Sequence, residues 1–595
     1  MTVEKTVRHH GRTLAHGGFE VRETVHACAH GCRVDDRPVR QRQAALAEIL
    51  LPRSTVGYDV MAFIGRERFV HQRQREEIRA ALLDRYALVL STGEVSALAR
   101  RFLVYLETLH EQHAPELRAA LAADGGWPLH VDATGEDGRG TLLVVYAGWR
   151  GWVLGSWKIP TERADAILPR LRAVAARFGE PCAVMRDLGK AVIEAVRDFV
   201  AALTHPIPAL SCHWHLLKDV GKDLLAPAHD ELRALFRRFE LTGRLRALAR
   251  ELGRGLGGDL ERARAEISAW LDGPLDRYQL PAGTAGVAGV RVLAQWVLDF
   301  PRDGHDQGVP FDLPWLDLYR RGHRTCRAVD AFLRSPGEDR QIDKLLVRLQ
   351  HLLDPVRSEL PFRRPVEILT TRARLFAELR TAMRLRAKPM PPSSLDADTP
   401  QTLRDIEAAL EDLAQSLRER RPQRGPAQDT RAAIDLILAH LDRHGASLSG
   451  HEIALPLAVG GGTRLVDRTN NLLEGFFRAL KHGERRRSGR QILTQDLERL
   501  PAAAALACNL TRPDYVKIVC GSLEELPRAF AQLDRADRRR SLPARLHAAL
   551  APADEPDVVS SSMPSADRHI IRADALQQRV LAAARSRAPR YAVSP

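Results

Sequence analysis

Three acidic residues in this chain stand where chemistry could be done. Asp132 ends the short apolar run "WPLHVDATG", and Asp187 ends a second, "PCAVMRDLG". Both runs read as strands, and strand ends in open α/β sheets are where departing loops leave room for a site. Two aspartates on strands that can lie side by side suit Mg²⁺ or Mn²⁺, which take hard oxygen ligands and keep water or phosphate in their remaining positions. The third is Glu474, in "DRTNNLLEGFFRALKHGERRRSGR". Helical spacing puts Asn470, Asn471, Glu474, Arg478 and Lys481 on one face, with Asp467 or Thr469 as cap. One carboxylate ringed by amides and cations is what a phosphate-handling metal site needs. The same spacing equally allows a solvated face with a plain Glu474–Arg478 ion pair. The cations continue through Arg485, Arg486, Arg487 and Arg490, either as phosphate contacts or as a solvated run.

Two clusters add sulfur and imidazole. "SCHWHLLKDV" holds Cys212, His213, Trp214 and His215, but two ligands do not complete a zinc site, which needs four donors or three plus water. Near the N-terminus, "VHACAHGC" carries His26, Cys28, His30 and Cys32. Cys28 and Cys32 are candidate Zn²⁺ ligands if two more distant donors join them, with His9, His10 and His16 also close by; the alternative is a flexible His-rich segment.

The elements that must position these residues follow from periodicity. Residues 1–45 are polar and His/Cys-rich. Residues 46–126 repeat apolar residues at three- and four-residue steps, as helices do. Within them "STGEVSALARRF" reads as a helix start, capped by Ser91 or Thr92 with Glu94 at capping-box distance. Two helices around that turn, with Arg100 and Arg101 on the second, suit a helix-turn-helix; a small helical domain gives the same pattern. From 127 to 225 the order is β-β-β-α-β-α-β-α, which implies a mixed sheet covered by helices. Residues 226–464 show no strand and read as an all-helical insertion. There Leu403, Ile406, Leu410, Leu413 and Leu417 form a heptad seam, with "TRAAIDLILAHLDRH" as partner helix. A linker covers 388–400. Residues 465–550 return to helix with Glu474, and 551–595 read as a disordered tail.

Bulk composition narrows the partners. At 595 residues the chain is too long for one core. A net charge of +14 favours a polyanion, nucleic acid before a membrane surface, although Arg-rich coding alone can raise it. The seven cysteines, mostly isolated, do not form a disulfide framework, and no apolar run is long enough to span a bilayer. The expected location is cytoplasmic and nucleoid-associated.

Asp132, Asp187 and Glu474 on this strand order resemble the DDE triad of cut-and-paste transposases with an RNase H-like fold. "TNNLLEGFFRALK" looks like the third-carboxylate helix of bacterial insertion-sequence transposases and their Mutator-like relatives. The spacings are similar too: 187 − 132 = 55 residues, then 474 − 187 = 287, with room for the all-helical insertion of Mutator-like and hAT-like groups. The resemblance implies an α/β RNase H-like catalytic core interrupted by an all-α insertion, after a mainly helical DNA-binding region. It implies that Cys212-x-x-His215 is part of the active-site wall; of Trp270, Trp296 and Trp315 most read as core, with one of them as the alternative stack for a flipped base. It further implies two Mg²⁺ (or Mn²⁺) ions on Asp132, Asp187 and Glu474, one activating a nucleophile and one stabilising the leaving oxygen. The expected activity is strand cleavage and strand transfer at transposon ends, on double-stranded DNA, by a homodimer or larger assembly. The alternatives are a catalytically inactive DNA-binding descendant, an RNase H-like nuclease without strand transfer, and a helical scaffold in which the triad is coincidence.

Overall fold

The computed structural model describes residues 1–34, 37–41, 45–136, 139–303, 308–334, 340–358, 360–385, 398–425 and 427–536. Most of the expected linker at 388–400, the end of the last helical block and the whole tail from 551 lie outside the described residues. The described chain divides into two compact units, Met1–Leu210 with the described residues from Glu452 onward, and Ser211–His451. The helical unit thus begins and ends earlier than 226–464. The reason is that the helix after Cys212 is continuous to Arg238 and packs within that unit.

The first unit opens with a hairpin that the polar composition did not announce. Strands β1 (Thr2–Thr13) and β2 (Gly17–Ala27) pair antiparallel from Thr2↔Ala27 to Thr13↔Gly17. Phe19, Val21 and Val25 alternate along β2, a period-2 signal. Arg12 ties the hairpin down, donating to Glu94 at 2.8 Å and to the carbonyl of Val89.

Helices α1 (Tyr58–Phe69), α2 (Arg75–Tyr86), α3 (Thr92–Gln112) and α4 (Ala114–Ala123) follow. The capping box at α3 is formed as expected: Ser91 Oγ accepts from Glu94 N at 3.1 Å, and Glu94 accepts from Ser91 N at 2.8 Å. One face of α3 is buried. Val95, Phe102, Leu103, Leu106 and Leu109 bury it in the core, and Arg101 lies over the Tyr105 ring. Gly65 of α1 meets Phe102 so closely that a Cβ there would sit 2.0 Å from the ring. Tyr58 and Tyr105 both donate to Asp534, fastening the far end of the unit to α1 and α3.

The sheet comes next, in the order β3 (Pro128–Glu136), β4 (Arg139–Ala147), β5 (Trp152–Lys158), α5 (Ala164–Phe178), β6 (Ala183–Arg186), α6 (Lys190–Val200), β7 (Ala209–Ser211). With the helix that follows Cys212, this is the β-β-β-α-β-α-β-α series expected from sequence. Spatially the strands run β7-β6-β3-β4-β5. β3 pairs antiparallel with β4 and β4 with β5, whereas β3 and β6 are parallel. Leu142 to Ala147 are all buried, the mark of a strand covered on both faces. The chain re-enters this unit through a short hairpin, β8 (Glu452–Ala454) and β9 (Thr463–Leu465), within residues expected to be all helix. The Glu474 helix then follows, and a 3-10 stretch, Ala502–Thr511, packs against β5 and α3.

The second unit contains no strand among its described residues. Its first helix, α7 (His213–Arg238), packs against α13 (Leu360–Ala382) and α15 (Gln428–His444); α8 to α12 are Leu241–Leu252, Asp259–Leu271, Val287–Leu298, Pro314–Leu333 and Arg340–Ser358. In α14 (Pro400–Glu419) the buried residues are Ile406, Leu410, Ala414 and Leu417, so Leu403 and Leu413 of the expected seam sit at its margin. A stripe at four-, four- and three-residue steps is an ordinary globular helix face rather than a heptad. The tryptophans are packing residues. Trp270 and Trp296 lie 5.3 Å apart, and Trp315 packs on Phe236 and Phe300. Arg324, fully buried, lies over Trp270 at 3.9 Å and donates to the carbonyls of Trp270, Leu271, Gly273 and Arg277, closing the C-terminal end of α9.

Candidate active site

The parallel pairing of β3 and β6 sets the geometry. Pro128 lies opposite Ala183 and His130 opposite Met185, an offset of 55 residues (183 − 128). Asp187 follows Asp132 by the same 55 residues, so the pairing, which runs as far as His130 and Met185, brings the chain at Asp187 to the end of the strand beside the one that carries Asp132. Asp132 is 6% exposed; its Oδ1 accepts from Ala133 N at 2.7 Å. Asp187, one residue beyond β6, is half-buried and accepts from Gly189 N at 3.2 Å, at the entrance to α6. Glu162, which sequence reasoning missed, stands near enough that partial burial, and then the charge of Asp187, raise its pKa. A cavity of about 580 Å³ between the starts of α5 and α6 is lined by Glu162, Arg163, Asp165, Gly189, Lys190 and Glu194, and Asp132, Asp187 and Glu474 are not among its lining residues.

Glu474 arrives on α16 (Asn471–Ser488), which packs along β3. Neither Asp467 nor Thr469 caps it. The N-cap is Asn470, and its side chain makes no capping bond. Instead its amide reaches across to β3: Nδ2 donates to Asp132 Oδ2 at 3.3 Å and to the carbonyl of Val131 at 3.4 Å, while Oδ1 meets His130 Nδ1 at 3.1 Å. An amide oxygen only accepts, so His130 carries its proton on Nδ1. Burial pushes His130 down to about 4, so the ring is neutral, and a Cβ on Gly148 would lie 2.5 Å from its Nε2. Further along α16, Lys481 donates to the carbonyl of Gly135 at 3.1 Å and Arg485 to Glu136 at 2.9 Å. Glu474 lies between these anchors, one turn beyond Asn470, with Glu474 N bonded to the Asn470 carbonyl at 3.0 Å. It is half-buried in the first turn, where a carboxylate is favoured by the helix dipole.

Several expected roles change. Asn470 has no exposed surface, so it is a strap for Asp132 and not a DNA contact. Asn471 is half-buried. Arg478 is exposed. The basic run is largely engaged within the protein. Arg487 bridges Glu484 and Asp496 at 2.7 and 2.5 Å, Arg68 also meets Glu484, Arg486 meets Glu77, and Arg490 donates to Gln495. Gln72 and Gln74 of the α1–α2 turn donate to the carbonyls of Ala479 and Arg486.

Among the described residues no three His, Cys, Asp or Glu side chains stand close enough together to hold a metal ion. That applies to the triad as well as to the two sulfur clusters. The donor chemistry of Asp132, Asp187 and Glu474 fits a hard divalent cation, being all carboxylate. Cys212 belongs to the second unit, where it is buried at the N-cap of α7. His213 packs on His451 and bonds the Leu448 carbonyl, Trp214 stacks on Phe311 at 4.1 Å, and His215 is half-buried. Cys28 and Cys32 are neighbours: the Cys32 thiol bonds Cys28 and lowers its pKa, raising its own. Val39 pins the pair, accepting from Cys28 N at 3.0 Å and donating to the Cys32 carbonyl at 2.9 Å.

Sequence reasoning also passed over His130 and Arg186. The signal for His130 was its place two residues before Asp132, hence on the same strand face. No helix among the described residues is long and apolar enough to cross a membrane. No protein-family model matches this chain, and no curated protein sequence matches it significantly.

Proposed function

We propose that the first unit is an RNase H-like core and that the chain is a DDE-type transposase acting on double-stranded DNA as a homodimer or larger assembly. One observation carries the reading. The helix bearing Glu474 is strapped by Asn470 to Asp132, whose strand lies in parallel register with β6, the strand just before Asp187. The strand order, with three antiparallel strands followed by a fourth running parallel to the first, supports the same fold. Asp132, Asp187 and Glu474 would hold two Mg²⁺ or Mn²⁺ ions. Bound there, the ions would sharpen a water or 3′-hydroxyl as nucleophile and offset charge on the leaving oxygen. The chain's own residues do the rest. Asn470 fixes Asp132, His130 orients Asn470, and exposed Arg478, one turn beyond Glu474, meets a phosphate.

The test is nicking of a supercoiled plasmid carrying the DNA that flanks this gene, with Mg²⁺ or Mn²⁺. Asp132→Asn, Asp187→Asn and Glu474→Gln should each abolish nicking and keep DNA binding. Full activity in any one of them removes that residue from the site. Joining of a pre-cut end to a target plasmid separates a transposase from a nuclease. A second reading is favoured by the absence of a three-donor cluster among the described residues: a DNA-binding descendant without chemistry. Binding by the wild type with no nicking in Mn²⁺ would establish it.

A further inference from the structure

Arg186 is a buried cation that forms no ion pair among the described residues, although the charge of neighbouring Asp187 partly offsets the cost of its burial. It ends β6 beside Asp187 and is 8% exposed. Its Nη1 donates to the Asp187 backbone carbonyl at 3.1 Å, its Nε has no hydrogen-bond partner, and no carboxylate pairs with it among the described residues. A guanidinium has five N–H donors, and leaving even one buried donor such as Nε unmet in a low dielectric is costly. Two other arginines with little exposure are compensated, although Arg101, Arg291 and Arg372 also hold a buried Nε with no partner. Arg324 has four carbonyls and two indole faces, and Arg68 has Glu484 at 2.8 Å. Arg186 has only the Asp187 backbone carbonyl as a hydrogen-bond partner and the Asp187 charge beside it, and it sits at the strand end next to that candidate carboxylate. The missing group is an anion with two oxygens to offer a planar fork, which is the shape of a phosphodiester.

We propose that Arg186 is a phosphate-binding residue of this site, holding a phosphodiester of the nucleic-acid strand beside Asp187. The proposal rests on the reading of this strand end as a DNA-processing site and names the residue that grips its substrate.

The experiment uses the full chain and a short DNA duplex in EDTA, so that binding is measured without cleavage. Affinity is followed by fluorescence anisotropy across a NaCl series. Each phosphate neutralised contributes about 0.9 to the slope of log affinity against log salt, so Arg186→Gln should lower the slope by about 0.9. Arg186→Lys should keep the slope but weaken binding about tenfold through loss of the fork. A slope unchanged in R186Q, with or without a rise in melting temperature, overturns the proposal and makes Arg186 a structural charge. If R186Q does not fold, R186K decides: affinity equal to wild type overturns it. Inorganic phosphate at matched ionic strength is the control. Heat stabilisation of the wild type by phosphate, with no R186Q effect on the duplex slope, overturns the phosphodiester assignment. A wild type that does not bind duplex at all refutes the proposed function itself.

Discussion

Asn470→Ala removes the strap between β3 and the Glu474 helix, and its cost follows from the contacts. The amide makes one bond of 3.1 Å to His130 and two longer ones, 3.3 and 3.4 Å, to Asp132 and Val131, all fully buried. The two long bonds contribute about 0.5 kcal/mol each, the His130 bond about 1, and the orphaned His130 N–H adds about 1 more. The total is about 3 kcal/mol, roughly a hundredfold in a local opening equilibrium. Hydrogen-exchange mass spectrometry should report it as about hundredfold faster exchange in peptides covering 128–136 and 466–480. Peptides from α5 (Ala164–Phe178) should be unchanged. Less than a tenfold change at both strapped segments would refute the geometry assigned to Asn470, and with it the main structural support for the triad.

Three other outcomes follow from the packing. Buried His110, bonded to Tyr515 and the Leu154 carbonyl, has its pKa pushed down by burial to about 4. The unfolded chain therefore takes up the proton first, so the neutral ring's contribution is intact above about 6.5 and is lost as pH falls toward 4, by about 3 kcal/mol at most. His110→Phe should flatten that acid-side slope in urea melts, whatever it does to absolute stability; an unchanged slope refutes the assignment. Gly65→Ala drives a methyl into the Phe102 ring, which is held between Phe69 and Phe530, and should cost about 2–3 kcal/mol in the same melts. Arg324→Lys keeps the charge but cannot reach four carbonyls, and should cost about 3 kcal/mol in the second unit, read by tryptophan fluorescence.

What the sequence made legible was governed by local rules. The β-β-β-α-β-α-β-α series could be read because each strand is an apolar run closed by turn residues and each helix repeats at three or four. The box at Ser91 and Glu94 is local for the same reason. The N-terminal hairpin escaped because β1 is exposed and polar, leaving the alternation only on β2. Asn470 was misjudged because counting round a helix assumed it lay inside one. The helix begins at Asn471, and an N-cap side chain is free to point across the chain instead. The arginine run could not be sorted from sequence, since Glu77, Glu136 and Asp496, which occupy it, are named only by tertiary packing. The unmet Nε of Arg186 is likewise a fact of three dimensions.

The division of the first unit into two stretches has a consequence for how the protein is made. Synthesis of the 241 residues from Ser211 to His451 (451 − 210) separates the sheet from the segments that close it. Leu473, Phe477, Ala505 and Phe530 all join the core that holds Phe102 and Trp152. At about 5–20 residues per second, the nascent sheet waits about 10–50 s with that surface uncovered. An early half left so long beside the ribosome is a target for holdase chaperones, and truncation anywhere before Phe530 should yield insoluble protein.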